Sequence, residues 1–245
     1  MPSPAFTPFP DADVESSVAA CFAASAARFA ERIAVSEPAG PVTFAELHAR
    51  AERVAAAVRA AGIGAGDRVA VLCEHGSPFL AAMLAVLKAG AAYVPLNPVN
   101  TDDANAQILH LADSRLLLCD GANRDHAEAL VPAGCGVFDI DGPVPEEPAA
   151  SISVEPGDLA GIFFTSGTTG EPKGVVHSQR NMLHAARCFT NSLEISAGDR
   201  LLWGYHGSTC ASVKNILAPL LCGATLCPWD MRRDGAGAMA DWIAG

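Results

Sequence analysis

Apolar residues recur at helical spacing through residues 14–29, where Val14, Val18, Cys21, Phe22, Ala26 and Phe29 share one face. This predicts an amphipathic helix packed on the outside of a sheet. Thr43-Phe-Ala-Glu46 has the form of a capping box, in which hydroxyl and carboxylate satisfy free backbone N–H groups at a helix start. A helix over about 44–61 follows, ended by Gly62, Gly64 and Gly66. The next run, RVAVLC at 68–73, is almost continuously apolar, as a buried parallel strand requires. The alternation continues with a helix at 78–88, a strand at 93–96, a helix at 102–111 and a strand at 115–119. After IDGPVPEEPAASISVEPGD, a Pro-rich acidic stretch, come strands at 159–165 and 174–177, a helix from about 179, and strands at 201–204 and 224–227. Strand and helix taking turns predict an α/β fold, with layered, mainly parallel sheets flanked by helices. The expected division is a flexible tail at 1–12, a first α/β block at 13–140, a linker at 141–158 and a second block at 159–245.

Half of the 245 residues are apolar, enough for a substantial core. The longest purely apolar stretch, 79–87, is far short of the roughly 20 residues that span a bilayer. The opening MPSPAFTPFPDADV has neither the basic start nor the apolar core of a secretory signal, so neither a membrane nor export is expected, and the protein is expected to be cytoplasmic. A formal charge of −11 opposes nucleic-acid binding, which concentrates Lys and Arg. The eight cysteines include no CxxC pair, the spacing that zinc sites favour, so most are read as reduced thiols in the core.

The chemistry concentrates in Thr165-Ser-Gly-Thr-Thr-Gly-Glu-Pro-Lys-Gly174, which carries four hydroxyls, three glycines and one cation between two predicted strands. Glycines let backbone N–H groups turn toward an anion, hydroxyls donate to phosphate oxygens, and lysine supplies countercharge. Thr165, Ser166, Gly167, Thr168, Thr169, Gly170 and Lys173 are therefore candidate ligands of a polyphosphate. The order does not fit GxxxxGK[ST], because the lysine follows Pro172 and precedes Gly174, which disfavours a generic P-loop NTPase.

At these residues the sequence resembles the superfamily of acyl-CoA synthetases, luciferases and the adenylation domains of nonribosomal peptide synthetases. VTFAELHARAERVA at 42–55, LKAGAAYVPLNP at 87–98 and LLCGATL at 220–226 fit the same family, the second especially the peptide-synthetase branch. The resemblance covers nearly all of the chain from about residue 14. It implies a two-step ligase: a carboxylate attacks the α-phosphate of ATP, pyrophosphate leaves, and the acyl-adenylate passes to a thiol of phosphopantetheine or CoA. It also implies that the loop, with Mg²⁺, holds the departing phosphates, and that Thr165 touches the metal.

Departures from the pattern narrow the expectation. His177-Ser-Gln179 lacks the second histidine common in relatives, and His177 reads equally as an active-site neighbour or a structural group. Aligned backward from LLCGATL without gaps, Thr209 and Cys210 fall on the Phe and Asp of the family's Phe-Asp-x-Ser motif. In amino-acid-activating relatives that Asp pairs with the substrate's α-ammonium, and a neutral thiol cannot. A fatty, aryl or hydroxy acid is expected instead, with His206 and Cys210 as tentative pocket residues. The family's adenine, ribose and catalytic-lysine motifs are not recognisable, and residues 239–245 read as an amphipathic helix that no strand follows. The chain is thus expected to be incomplete N-terminal subdomains of an adenylate-forming enzyme, with its catalytic lysine elsewhere. The partners implied are a carboxylic acid, a carrier protein or a completing C-terminal chain. The alternatives are a non-catalytic nucleotide-binding or partner module and an acyl-CoA ligase fragment.

Overall fold

The computed structural model describes residues 6–144, 152–165 and 172–230, together with 235, 237 and 239. The predicted terminal helix lies almost wholly outside the described residues, as does 145–151 of the predicted linker. The strands are β1 (Ile33–Glu37), β2 (Gly40–Thr43), β3 (Arg68–Leu72), β4 (Ala92–Pro95), β5 (Leu116–Cys119), β6 (Gly136–Asp139), β7 (Leu159–Thr165), β8 (Lys173–Ser178), β9 (Arg200–Trp203) and β10 (Thr225–Pro228). The helices are α1 (Val18–Arg28), α2 (Phe44–Ala60), α3 (Ser77–Lys88), α4 (Asp102–Ala112), α5 (Arg124–Leu130), α6 (Gln179–Leu193) and α7 (Ser212–Cys222).

Two sheets form. One has the order β6-β5-β3-β4-β7-β8 and the other β2-β1-β10-β9. Every pairing is parallel except the β1/β2 and β7/β8 hairpins, so the layered, mainly parallel α/β class is observed. The segments 13–140 and 159–245 are not separate in space. Val35 of β1 is in register with Leu226 of β10, and Tyr93 of β4 with Gly161 of β7. The first segment supplies β6-β5-β3-β4 of one sheet and β2-β1 of the other, and the second extends them with β7-β8 and β10-β9.

The local signals act as their chemistry dictates. The Thr43 hydroxyl accepts from the Glu46 N–H at 3.2 Å while Glu46 accepts from the Thr43 N–H at 2.8 Å, closing the capping box on α2. Gly62, at φ +75°, turns the chain after it in a conformation only glycine takes without strain. The first helix begins later than the periodicity suggests: Ser17 caps α1 by accepting from the Ala20 N–H at 3.1 Å. Asp11–Glu15 forms a 3-10 turn instead. The tail is also more anchored than expected. Phe9 is buried, and its N–H and C=O bond to the Asn191 side chain at 2.8 and 3.2 Å, so a flexible tail does not extend to residue 12.

Residues 79–87 of α3 are buried on every side, the signature of a helix between layers rather than at a surface. One continuous apolar core joins α1, α2 and α3 to Val69, Val71, Tyr93 and Phe163 of the larger sheet, and to Val35, Trp203 and Leu226 of the smaller. The opposite face of the larger sheet packs Ala70, Leu72 and Leu117 against Leu109, Ala127 and Leu130 of α4 and α5. Covered on both faces, its central strands read as continuous apolar runs. No helix among the described residues is long and apolar enough to cross a membrane.

Candidate functional site

The hairpin β7/β8 brings the two ends of the Gly- and Thr-rich loop together. Thr165 and Lys173 are its last paired residues, and the Thr165 hydroxyl lies 3.5 Å from the Lys173 carbonyl oxygen. Both side chains are exposed. Ser166, Gly167, Thr168, Thr169 and Gly170 lie outside the described residues. Lys173 forms no ion pair among the described residues, so its charge is not consumed by a protein carboxylate there. One cation and one hydroxyl thus flank, at the end of the hairpin, the Gly- and Thr-rich segment of the sequence.

Strand alternation puts Lys173, Val175 and His177 on one face, opposite Thr165, Phe163 and Gly161. Four residue steps of strand lead from Lys173 to His177, roughly 13 Å at about 3.3 Å each. Val175 between them is exposed. The His177 ring stands edge-on to buried Phe163, with centroids 5.4 Å apart at 86°. Its Nε2 lies 3.2 Å from the Cys210 sulfur, and partial burial lowers its pKa from the usual value. The sequence offered His177 and Cys210 separately; the fold joins them at the far end of the face that begins at Lys173.

His206 sits elsewhere. It lines a cavity of about 290 Å³ with Glu74, His75, Asn97, Tyr205 and Thr209, whereas Cys210 lies against His177 and is not part of that lining. The cavity opens past the carboxyl ends of β3, β4, β9 and β10, where α/β sheets present their loops. Two imidazoles tie the sheets together there. His75 Nε2 lies 2.8 Å from the Trp203 carbonyl and His206 Nε2 3.4 Å from the Cys73 carbonyl. Ser208 N–H donates to His206 Nδ1 at 3.1 Å, which makes the ring a neutral acceptor on that side. Burial, then the neighbouring His75, pushes its pKa down to about 4.

The loop carrying Glu74 and His75 is itself fixed: Glu74 N–H donates to Asp120 at 2.7 Å and Ser77 N–H to Glu37 at 2.9 Å. Glu74, His75 and Asn97 were not singled out from sequence. The signal that could have found them is position, since each follows the carboxyl end of a predicted strand.

Fold and site together define a two-sheet α/β domain with a hairpin whose last paired residues are Thr165 and Lys173 and a cavity of mixed polar and apolar lining beside strand ends. Comparison with known proteins agrees, and the chain belongs to the AMP-binding enzyme family, whose pattern matches residues 22–244. It is 35% identical over 205 residues to phenyloxazoline synthase MbtB of Mycolicibacterium paratuberculosis, covering 82% of this chain and 17% of that protein. The nonribosomal peptide synthetase FmoA3 (S1046A), in an AMPPNP-bound form, is 30% identical, with a TM-score of 0.80 over 92% of this chain and 23% of that one. The Klebsiella oxytoca NpsA N-terminal subdomain, in complex with 3-hydroxyanthranilyl-AMSN, is 26% identical, with a TM-score of 0.79 over 96% of this chain and 61% of that one. The chain therefore spans about a sixth of that synthase and under two thirds of the NpsA subdomain.

Proposed function

We propose that this chain is the phosphate-binding part of an enzyme that activates a carboxylic acid with ATP. The observation that carries the reading is the Thr165–Lys173 pair closing a hairpin around a Gly- and Thr-rich loop. A carboxylate oxygen bonds to the α-phosphorus of ATP, the bond to the pyrophosphate oxygen breaks, and charge grows on the departing phosphates. Lys173 and the hydroxyl and N–H donors that the sequence supplies at 165–170 would meet that charge, and donors lower a barrier most where charge develops. AMPPNP bound to FmoA3 supports a nucleotide in the same family. Among the described residues no group of three or more His, Cys, Asp or Glu side chains gathers to hold a metal. Mg²⁺ would sit on the phosphate oxygens with the Thr165 hydroxyl beside it, and would neutralise phosphate charge.

The acid would lie along the face from Lys173 toward His177 and Cys210. A thiol beside an imidazole whose charged form is disfavoured offers no anion for an α-ammonium, so an aryl, fatty or hydroxy acid fits better than an α-amino acid. The aryl group named in the NpsA complex is of that kind. The acceptor would be the thiol of phosphopantetheine on a carrier protein, or of CoA.

Calorimetry of the chain with ATP and Mg²⁺ tests the nucleotide step. Saturable binding is expected, weakened about tenfold in Lys173→Ala, the scale of one exposed charge-assisted contact. Equal affinity in the variant would remove the loop from nucleotide binding. An absence of saturable heat in the native chain would sink nucleotide binding by this part alone. Carboxylate-dependent ATP–pyrophosphate exchange then separates an adenylating unit from a module that only binds.

A further inference from the structure

Burial divides the eight cysteines. Desolvation raises the thiols of Cys21, Cys73, Cys119, Cys135, Cys222 and Cys227, and a thiol held protonated is a poor nucleophile. Cys188 and Cys210 are exposed, and each has an imidazole nearby: His184 Nε2 at 3.5 Å from Cys188, His177 Nε2 at 3.2 Å from Cys210.

The two pairs are built differently. Cys188 and His184 lie one turn apart on α6, on the surface of a single helix. Cys210 and His177 come from the turn before α7 and from β8, so tertiary structure joins them, and Phe163 fixes the imidazole edge-on. With the ring proton on Nδ1, Nε2 can accept the thiol proton. A held acceptor beside an accessible thiol is the arrangement of an activated nucleophile. The same face carries exposed Lys173 about 13 Å along the strand, a distance that an extended reagent with anionic ends spans by direct contact rather than by screened attraction.

We propose that Cys210 and His177 form a nucleophilic thiol site that exchanges with small anionic disulfides. As the sulfur of Cys210 attacks one sulfur of the disulfide, its proton passes to His177 Nε2, so that no separate ion pair is formed on a ring whose charged form burial disfavours. The reagent's S–S bond breaks as the new S–S bond to Cys210 forms, and the departing thiolate takes the proton from His177. Cys210 is oxidised to a mixed disulfide, one half of the reagent is reduced to a thiol, and no further oxidant is needed. On the reading given above, an adduct at Cys210 would stand beside His177 at the end of the face the acid occupies. The exchange itself does not depend on that reading.

The test uses the whole chain, without nucleotide, in oxidised glutathione at pH 7.5, with adduct rates resolved for each cysteine by peptide mass mapping. Cys210 is expected to react about tenfold faster than Cys188, a modest share of what a positioned base supplies. His177→Gln should remove most of that advantage and leave Cys188 unchanged, while His184→Gln should leave Cys210 unchanged. Reaction at buried Cys73 and Cys227 would reveal an unfolded variant, in which case the native ratio of Cys210 to Cys188 decides alone. Equal rates at those two cysteines, or a folded His177→Gln chain that still reacts at full speed, would overturn the proposal. Because no ATP is present, such a failure leaves the nucleotide reading standing.

Discussion

Lowering the pH should loosen the junction between the two sheets through one side chain, His206. In the folded chain its imidazole titrates at about 4 rather than 6.5, because it is half-buried and lies beside His75. Its Nδ1 already accepts the Ser208 N–H at 3.1 Å, so a proton there would set two donors head to head. Above pH 6.5 the ring is neutral in both states and costs nothing. Between 6.5 and about 4 the unfolded chain binds a proton that the folded chain refuses, so stability falls as pH falls. Below about 4 both states are protonated and this contribution to the slope ends. At 1.36 kcal/mol per pH unit the full loss is about 3 kcal/mol, and about 2 kcal/mol of it has accumulated by pH 5. Urea unfolding of the native chain and His206→Gln between pH 7.5 and 4.5 reads this directly. The glutamine keeps an acceptor and a donor without the charge. His48 and His177, also depressed by partial burial, act alike in both chains and cancel in the difference. The variant should gain on the native chain by about 2 kcal/mol between pH 7.5 and 5. Two pH profiles that stay parallel to within about 0.5 kcal/mol, the size of an ordinary surface effect, would refute the reasoning.

Two further predictions concern the scaffold. Gly207→Ala places a methyl group into the edge of the Phe79 ring, which is completely buried and cannot swing away. A loss of about 1–3 kcal/mol is expected, seen as a drop of several degrees in calorimetric Tm. Gly204→Ala, whose nearest neighbour would be Leu202 at 3.9 Å, should change Tm little. Thr43→Ala opens the capping box of α2 and should cost about 1 kcal/mol in denaturant unfolding, whereas Thr43→Ser should restore most of it.

What the sequence made legible is what a few neighbouring residues decide. The capping box at Thr43, the glycine stop after α2, and the apolar runs of β3, β4 and β5 needed no partner from elsewhere in the chain. The hairpin β1/β2 was not read, because the Pro38-Ala39 turn and Gly40 after it, between two strands of five and four residues, look like loop. α5 and β6 were passed over for a similar reason, being only seven and four residues long. Sheet membership was illegible in principle from periodicity: β1 takes its parallel neighbour, β10, from the opposite end of the described chain, and only the shared core dictates that.

The candidate site divides along the same line. The loop after Thr165 announced itself because its hydroxyls, glycines and lysine are contiguous, so its chemistry does not wait on the fold. Cys210 and His177 are 33 positions apart, and neither residue type alone distinguishes a nucleophile from a small core thiol. Their pairing depends on β8 returning antiparallel from the loop, so that the strand bearing Lys173 at one end carries His177 toward the turn before α7. The hairpin that closes at Thr165 and Lys173 therefore also carries His177 to Cys210, and a slip of one residue in its register would turn both Lys173 and His177 to the opposite face.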